Sequence, residues 1–333
     1  MLRDHLFRGR TTDTFTVQWH LTNACDACCT HCYDRSDRRA LSTDTCLVVL
    51  HDFLAFCRTH RVRGQISLTG GNPLLHPGFW EIYQAVVAAG LPVSILGNPA
   101  PADTLARLAA IRRPGYYQVS LEGFRETNDA IRGDGHFDRT LEFLHTAREM
   151  HVTTHVMLTL QQANMAQVIP LGISLQGLTR KFTFNRLSQV GEARGAAIPD
   201  KESYAAFLAA YLEAAHAHPV LGVKDNLFNI LRHRRRAGFF GGCTGQGCGA
   251  AFNFVALLPD GEVHACRKFP SRLGNITEAS FTEMYHSAPA RRYRQGPAGC
   301  RGCPLRRHCR GCMAVTCGTG GDPLVDRDPQ CFL

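Results

Sequence analysis

The sequence predicts an α/β protein in which parallel strands form an open sheet or an incomplete barrel, followed by a cysteine-rich C-terminal region. Six short, mostly apolar runs alternate with helical patterns, as expected of strands that are buried on both faces. Such strands are typical of parallel sheets covered by helices. Nine of the 15 cysteines fall between Cys243 and Cys331. A chain of 333 residues is long enough for one large domain and a smaller one.

The predicted elements alternate regularly along the first two thirds of the chain. Strands are predicted at 15–22, 65–70, 93–97, 117–121, 154–160 and 181–187. Helices are predicted at 42–60, 78–89, 101–111, 137–151, 163–176 and 201–217. Ser42 is a good N-cap for the first helix, and Pro199-Asp200 is a start signal for the last. Ligands of such folds bind at the carboxyl ends of the parallel strands.

After Gly238 the sequence changes to glycine, cysteine and short irregular pieces. This change divides the chain into a short N-terminal segment (1–14), a barrel with a connecting helix (15–238) and a C-terminal domain (239–333). The C-terminal region has few periodic apolar positions, so we expect it to need metal to fold.

Composition narrows the class of protein. Hydrophobic residues make up 44% and charged residues 20%, which is ordinary for a globular enzyme. No apolar run approaches the ~18 residues of a membrane span, and the N-terminus lacks the apolar core of a signal peptide. We therefore expect a cytoplasmic protein without a membrane partner. In a reducing compartment, clustered cysteines indicate metal binding rather than disulfides.

A short cysteine motif follows the first predicted strand. Cys25, Cys29 and Cys32 have the spacing C-x₃-C-x₂-C. Three thiolates on one loop suit three corners of a [4Fe–4S] cube and leave the fourth iron open for an outside ligand. The alternative is a structural zinc loop completed by His31 or Cys28, because structural zinc takes four ligands.

This motif resembles the signature of the radical S-adenosylmethionine (SAM) superfamily, with His31 at its aromatic position. Further stretches resemble motifs of the family and follow in the same order. Residues 70–73 resemble its GGEP turn, and Asn98 corresponds to the asparagine of its Thr-Asn-Gly motif. Residues 119–123 resemble its SLDG motif, and residues 128–137 resemble its HDxxRGxGxF motif. The resemblance implies that the open iron chelates SAM and that electron transfer cleaves SAM to a 5′-deoxyadenosyl radical. It implies that the residues binding this cofactor are His31, Gly70, Gly71, Asn72, Pro73, Asn98, Ser120 and Arg132. Within that set, Ser120 would reach the SAM ribose and Arg132 the SAM carboxylate.

The C-terminal cysteines resemble the SPASM domain, an extension found on a subset of radical SAM enzymes. The overall fold implied is a partial (β/α)₆ TIM-like barrel with a C-terminal iron–sulfur SPASM domain. The resemblance implies two auxiliary [4Fe–4S] clusters and three such clusters in all. The first would use Cys243, Cys248, Cys266 and Cys312, and the second Cys300, Cys303, Cys309 and Cys331. Cys317 is the alternative to Cys312, and two zinc-ribbon sites are the alternative to both clusters.

The charge balance changes once clusters are included. The formal net charge is +9. Three clusters with their thiolates would contribute about −5, which leaves about +4. A nucleic-acid partner is therefore not expected.

The resemblance implies a radical SAM oxidoreductase of the peptide maturase type. Such an enzyme abstracts hydrogen from a peptide or protein made on the ribosome and installs a modification there. The segments 31–38 and 312–316 resemble maturases of short peptides that carry cysteine or selenocysteine, which implies modification at such residues. Arg267 stands where sulfatase-activating members have an aspartate base, so formylglycine formation is not expected.

The implied partners are the peptide or protein substrate and an external electron donor of the flavodoxin or ferredoxin type. About 14 residues precede the first predicted strand, so we expect leader recognition to come from a separate leader-binding protein or from the mouth of the barrel. The catalytic base is not identified, and Glu122, Glu192 and His264 are candidates by position. Two other functions remain open: modification of a tetrapyrrole, and a non-catalytic zinc-binding module.

Overall fold

The computed structural model describes residues 2–3 and 11–333. Two sheets are present among these residues, a small antiparallel pair of β1 and β2 and a nine-stranded sheet formed by β3 to β11. The strands are β1 Leu2–Arg3, β2 Thr11–Thr12, β3 Thr14–Thr22, β4 Arg63–Gly70, β5 Val93–Leu96, β6 Tyr117–Ser120, β7 Thr154–Leu160, β8 Lys181–Arg186, β9 Phe254–Leu257, β10 Glu262–His264 and β11 Arg272–Asn275. The order in the large sheet is β11-β10-β9-β3-β4-β5-β6-β7-β8.

The six predicted strands are confirmed as β3 to β8, with boundaries that differ by at most two residues. Each pairs in parallel with the next. Alternate side chains such as Val17 and Val119 are fully buried. The opposite face is polar, as Gln18 and Ser120 illustrate. The predicted partial (β/α)₆ barrel is therefore present, with its helices packed on the apolar face.

The helices follow the strands as expected for βα units. They are α1 Thr43–His60, α2 Phe79–Ala88, α3 Ala102–Ile111, α4 Arg125–Arg132, α5 His136–Glu149, α6 Val168–Ser174, α7 Lys201–Ala217, α8 Phe228–Arg234, α9 Phe281–His286, α10 Ala288–Gln295 and α11 Met313–Gly318. The Ser42 side chain accepts a hydrogen bond from the Thr45 amide, and Asp200 does the same for Ser203, so both predicted N-caps are confirmed.

Helix α4 was not predicted, because its sequence contains almost no apolar residues to reveal a periodicity. Only Asn128 of this helix is buried, and its side-chain oxygen accepts a hydrogen bond from the Glu122 amide at 3.0 Å. The predicted helix at 163–176 is divided into a 3₁₀ segment, Gln162–Gln167, and the short α6.

The C-terminal region continues the barrel sheet. Strand β9 pairs in parallel with β3, and β10 and β11 extend the same edge. Helix α9 packs on α1, with ring centroids 5.6 Å apart for Phe53 and Phe281 and 5.5 Å for Phe56 and Tyr285. The apolar side chains of this region therefore join the barrel's core instead of forming one of their own.

The described residues contain no disulfide bond. Among the helices of the described part of the chain, none has both the length and the apolar composition to cross a membrane.

Candidate functional site

Cys25, Cys29 and Cys32, here called the loop cysteines, lie on the loop that leaves the carboxyl end of β3. Cys25 is exposed, whereas Cys29 and Cys32 are half-buried. Backbone hydrogen bonds tie the loop to helix α4 and to the short turn after β8: the Thr30 amide donates to the Ile131 carbonyl and the Glu192 amide to the Cys32 carbonyl, both at 2.9 Å. The loop therefore has a defined shape while its thiols remain accessible.

The Gly70–Gly71 turn packs directly against the start of this loop. The amide of Gly71 donates to the Thr22 carbonyl at 2.7 Å, and the amide of Asn72 donates to the Ala24 carbonyl at 2.8 Å. A Cβ atom at Gly70 would lie 2.1 Å from the Thr22 oxygen, and the backbone there has a φ of 143°. Only glycine satisfies both the close approach and this backbone conformation.

Two asparagines connect the neighbouring strand ends to the cysteine loop. The Asn72 side chain donates to the Asp26 carboxylate at 3.1 Å and accepts from the Leu74 amide, so it also caps the 3₁₀ turn that begins at Pro73. The Asn98 side chain donates to the Cys25 Sγ at 3.4 Å and to Asp26. The amide groups of Asn72 and Asn98 thus converge on the first loop cysteine and its neighbour.

A buried ion pair lies on the other side of the loop. Arg132 Nε and Nη2 donate to Glu122 Oε1 at 2.9 and 2.5 Å, and Arg132 Nη1 points at the Cys29 Sγ from 3.6 Å. His31 Nε2 lies 3.2 Å from the same carboxylate oxygen. Arg132 and His31, both predicted cofactor residues, are therefore joined through Glu122.

The Glu122 carboxylate is fully buried. Burial alone would raise its pKa, but Arg132, His31 and a hydrogen bond from the Thr159 amide together lower the pKa to about 2. Burial raises the pKa of the nearby Cys29 thiol, and Arg132 opposes that rise. The His31 Nδ1 atom is buried without a hydrogen-bond partner among the described residues. An unpaired polar atom beside the loop cysteines fits a site that receives a polar ligand.

The geometry does not support two of the three candidates for the catalytic base. Glu122 is ionised and fully occupied by its partners, so it is a structural carboxylate. His264 is also occupied, since its Nδ1 accepts from the Ser271 amide and its Nε2 lies 3.1 Å from Glu262. Glu192 is exposed on the loop after β8, with Arg35 at 3.8 Å. Glu192 stays a prediction.

Ser120 ends β6 with its side chain half-buried on the polar face of the sheet. This position is at the same edge as the loop cysteines, because all carboxyl ends of the parallel strands meet there.

The cysteines of the first predicted auxiliary cluster, Cys243, Cys248, Cys266 and Cys312, come from three separate stretches of the C-terminal region. The Asn226 side chain links two of them, accepting from the Cys243 amide at 2.8 Å and donating to the Gly311 carbonyl at 2.8 Å. Burial raises the pKa of the Cys266 thiol to about 12, and Cys312 and Cys248 contribute to that rise. We call these four residues the first auxiliary site.

The cysteines of the second predicted cluster line one cavity, together with Leu305 and Asp328. These cysteines, here called the second auxiliary site, are Cys300, Cys303, Cys309 and Cys331. Burial raises the pKa of the Cys300 thiol, and Cys303 and Cys331 add to the effect. Cys317 has a different surrounding, with Asp322 as the charge that acts on it. The Cys266 thiol is influenced by Cys312, so Cys312 stays the predicted fourth ligand of the first auxiliary site.

Among the residues that the structure describes, no three ligating side chains converge closely enough to hold one metal ion. A mononuclear zinc site would need four sulfurs about 2.3 Å from one point. The four cysteines of the second auxiliary site, which line one cavity, are the thiolates that a [4Fe–4S] cluster would use there.

One link between the two cysteine regions was not predicted. Arg267 follows Cys266 directly, and its guanidinium lies 4.5 Å from the centre of the Tyr33 ring and 2.6 Å from the Asp34 carboxylate. Both partners follow Cys32, so the loop cysteines and the first auxiliary site are held together by these contacts. His20, fully buried on β3, packs edge-on against Tyr33, and neither of its ring nitrogens has a hydrogen-bond partner among the described residues.

Two sequence profiles match the chain. The profile of the radical SAM superfamily matches residues 19–171. The SPASM profile, an iron–sulfur cluster-binding domain, matches residues 248–313.

Curated relatives align with almost the whole chain. Mycofactocin maturase MftC of Mycolicibacterium smegmatis is 31% identical over 339 residues, covering 95% of this chain and 82% of the maturase. The subtilosin biosynthesis protein AlbA of Bacillus subtilis is 26% identical, covering 88% of this chain and 66% of that protein. The AdoMet-dependent heme synthase of Methanosarcina barkeri is 25% identical and covers 95% of both chains.

Solved structures share the fold. SuiB of Streptococcus suis bound to the precursor peptide SuiA superimposes with a TM-score of 0.75 at 17% identity, covering 97% of this chain and 76% of SuiB. The described geometry, the two profiles and the full-length relatives agree. The chain belongs to the radical SAM superfamily, among the enzymes that carry a C-terminal SPASM domain.

Proposed function

We propose that this radical SAM enzyme modifies a peptide or protein made on the ribosome. The observation that carries the proposal is the convergence of the Gly70–Gly71 turn, Asn98 and Arg132 on the three loop cysteines. The relatives support a peptide substrate, because MftC and AlbA are named as a maturase and a bacteriocin biosynthesis protein, and SuiB was solved with a precursor peptide.

The loop cysteines would hold a [4Fe–4S] cluster whose open iron binds SAM. When bound, this pair supplies reductive cleavage of SAM and hence a hydrogen-abstracting 5′-deoxyadenosyl radical. The side chains of Asn98 and Arg132 direct N–H groups at the sulfurs of Cys25 and Cys29. Such donors orient ligating thiolates and stabilise their negative charge.

The GGEP-like turn would still bind SAM, although Asn72 stands at the position of the motif's glutamate. The amides of Gly71 and Asn72 are already used within the protein. The carbonyl oxygens of the Gly70–Gly71 turn are therefore the groups that would accept hydrogen bonds from the SAM ammonium. Asn72 would hold the turn in place, because its side chain bonds to Asp26 on the cysteine loop.

Arg132 would act with only part of its guanidinium. Glu122 engages Nε and Nη2, so Nη1 is the nitrogen that faces the cofactor site. Glu122 fixes the direction of this nitrogen, as expected of a partner that orients a ligand-binding arginine. His31 would offer Nδ1 and Ser120 its hydroxyl to the remaining polar groups of SAM.

The C-terminal region, proposed as domain 239–333, would hold two further [4Fe–4S] clusters, giving three in all. An external flavodoxin or ferredoxin would supply electrons, and a separate protein would bind the leader of the substrate. Modification at cysteine or selenocysteine stays a prediction from the sequence resemblance.

The test uses protein reconstituted without oxygen. Reduced protein is incubated with SAM, and 5′-deoxyadenosine is measured by chromatography. Wild-type protein should form it, and Cys29→Ala should not. Candidate peptides encoded beside the gene are then co-expressed and weighed by mass spectrometry. A mass change that requires Cys29 supports the proposal, whereas 5′-deoxyadenosine formation by Cys29→Ala contradicts it.

A further inference from the structure

Two lysines stand beside the first auxiliary site. Lys268 lies two residues after Cys266, and its Nζ donates to the Arg186 carbonyl at 3.4 Å. Lys224 lies two residues before Asn226, whose side chain contacts the Cys243 amide. Both lysines are half-buried, so water screens them only in part.

Contacts with both ends of β8 hold the segment that carries Lys224. The amide of Gly222 donates to the Phe182 carbonyl at 2.7 Å, and Asp225 pairs with Arg186 at 2.8 Å. The segment 220–225 thus runs beside β8. Lys224 is fixed between these two contacts, close to the cysteines.

The positive charges of Lys224 and Lys268 are not neutralised by acidic side chains of the residues that the structure describes. Burial raises the pKa of the Cys243 thiol, and the positive charges of Lys224 and Lys268 oppose that rise. Neither lysine forms an ion pair with a carboxylate in the described part of the chain. The nearby carboxylates of Asp225 and Asp328 are engaged by Arg186 and act on Cys309 of the second auxiliary site.

We propose that Lys224 and Lys268 raise the reduction potential of the cluster held by the first auxiliary site. The proposal rests on the proposed function, because it requires a cluster at these cysteines. A reduced cluster carries one more negative charge than an oxidised cluster, and nearby cations stabilise the more negative state. Net charge near a cluster is one of the factors that set its potential.

The test measures reduction potentials, so it needs no substrate. A Cys25→Ala/Cys29→Ala/Cys32→Ala background leaves only the auxiliary clusters, whose reduced forms are followed by electron paramagnetic resonance during a redox titration. In this background Lys224→Gln should lower the midpoint reduction potential of one auxiliary cluster. The equilibrium constant for its one-electron reduction should fall about tenfold, which corresponds to ~59 mV. Lys268→Gln should lower the same midpoint.

Two variants serve as controls. Lys224→Arg keeps the charge and should leave the midpoint near that of the background protein. Lys201→Gln removes one charge from an exposed lysine on α7 that pairs with Glu202, and should not change either midpoint. If one glutamine variant does not load iron, the other supplies the measurement.

The outcomes separate the two proposals. Unchanged midpoints in both glutamine variants, with full iron and sulfide content, would overturn the role of the lysines. A background protein that contains no acid-labile sulfide would instead overturn the cluster assignment itself.

Discussion

The loop cysteines and the C-terminal cysteines are held in different ways. The three loop cysteines fall within eight residues, and hydrogen bonds from neighbouring strand ends position their loop. The eight cysteines of the auxiliary sites spread over 89 residues, which also contain β9 to β11 and α9 to α11. They are joined by polar side chains such as Asn226, which bonds to two of their segments.

This difference indicates that cysteine ligands have two roles in this protein, one in chemistry and one in folding. A compact loop at the open edge of a sheet leaves room for a substrate at the metal. Cysteines drawn from distant segments bring those segments together at one site, so we expect metal binding there to contribute to folding. We therefore expect changes at the loop to affect chemistry, and changes at the auxiliary sites to affect stability.

The largest expected effect is the loss of SAM cleavage in Cys29→Ala. Cys29 is half-buried on a loop, so the free energy of unfolding of the metal-free protein should change by less than about 1 kcal/mol. Formation of 5′-deoxyadenosine should fall to background. Urea unfolding of the same preparation checks stability, and a loss of several kcal/mol would erase the proposed difference between the two regions.

The second prediction concerns the buried Arg186, which joins Asp225 and Asp328 behind the auxiliary sites at 2.8 and 2.7 Å. Arg186→Met leaves two buried carboxylates without their cation and should lower the free energy of unfolding by about 3–5 kcal/mol. Urea titration measures this change. Arg63→Gln, at the exposed pair with Asp13, is the matched control and should cost less than about 1 kcal/mol. Equal effects for both arginines would contradict the role given to Arg186.

The third prediction uses the pH dependence of Glu122. Its pKa is lowered from 4.5 to about 2, so ionised Glu122 stabilises the fold above pH 4.5, and this stabilisation is lost as the pH falls through 2. The contribution at neutral pH is about 3 kcal/mol. In Glu122→Gln the stability of the metal-free protein should vary less between pH 5 and 2. Glu126→Gln on the exposed face of α4 should follow the wild-type curve.

The smallest expected effect is that of Asn98→Ala. This change removes the N–H donor to the Cys25 sulfur and to Asp26. One such hydrogen bond contributes about 1 kcal/mol, so the Kd for SAM should rise roughly fivefold. An equilibrium titration of the reconstituted protein with SAM measures this Kd. A Kd equal to that of wild type would show that Asn98 does not position the loop.

The sequence predicts the barrel well because the strand segments are short and mostly apolar, as in 15–22 and 154–160. Helix α4 has no such pattern, since its stability comes from contacts such as that of Asn128. The pairing of β9 with β3 joins residues more than 230 positions apart, which no local pattern reveals.

The candidate site, like the fold, has a part that sequence patterns predict and a part that depends on contacts between distant residues. Motif spacing locates the cysteines, the Gly70–Gly71 turn and Arg132 at one edge. The role of Glu122 depends on three partners from separate elements, so sequence position alone suggested a base where the structure has a buried anion. The contact of Arg267 with Tyr33 and Asp34 is equally non-local.

The most direct test is the iron and acid-labile sulfide content of protein reconstituted without oxygen. Wild-type protein should contain about 12 of each per chain, and Cys25→Ala/Cys29→Ala/Cys32→Ala about 8. The remaining iron should stay with the C-terminal sites, because the loop and the auxiliary cysteines bind independently. Zinc without sulfide in the wild-type protein, or loss of all iron from the triple variant, would contradict the account.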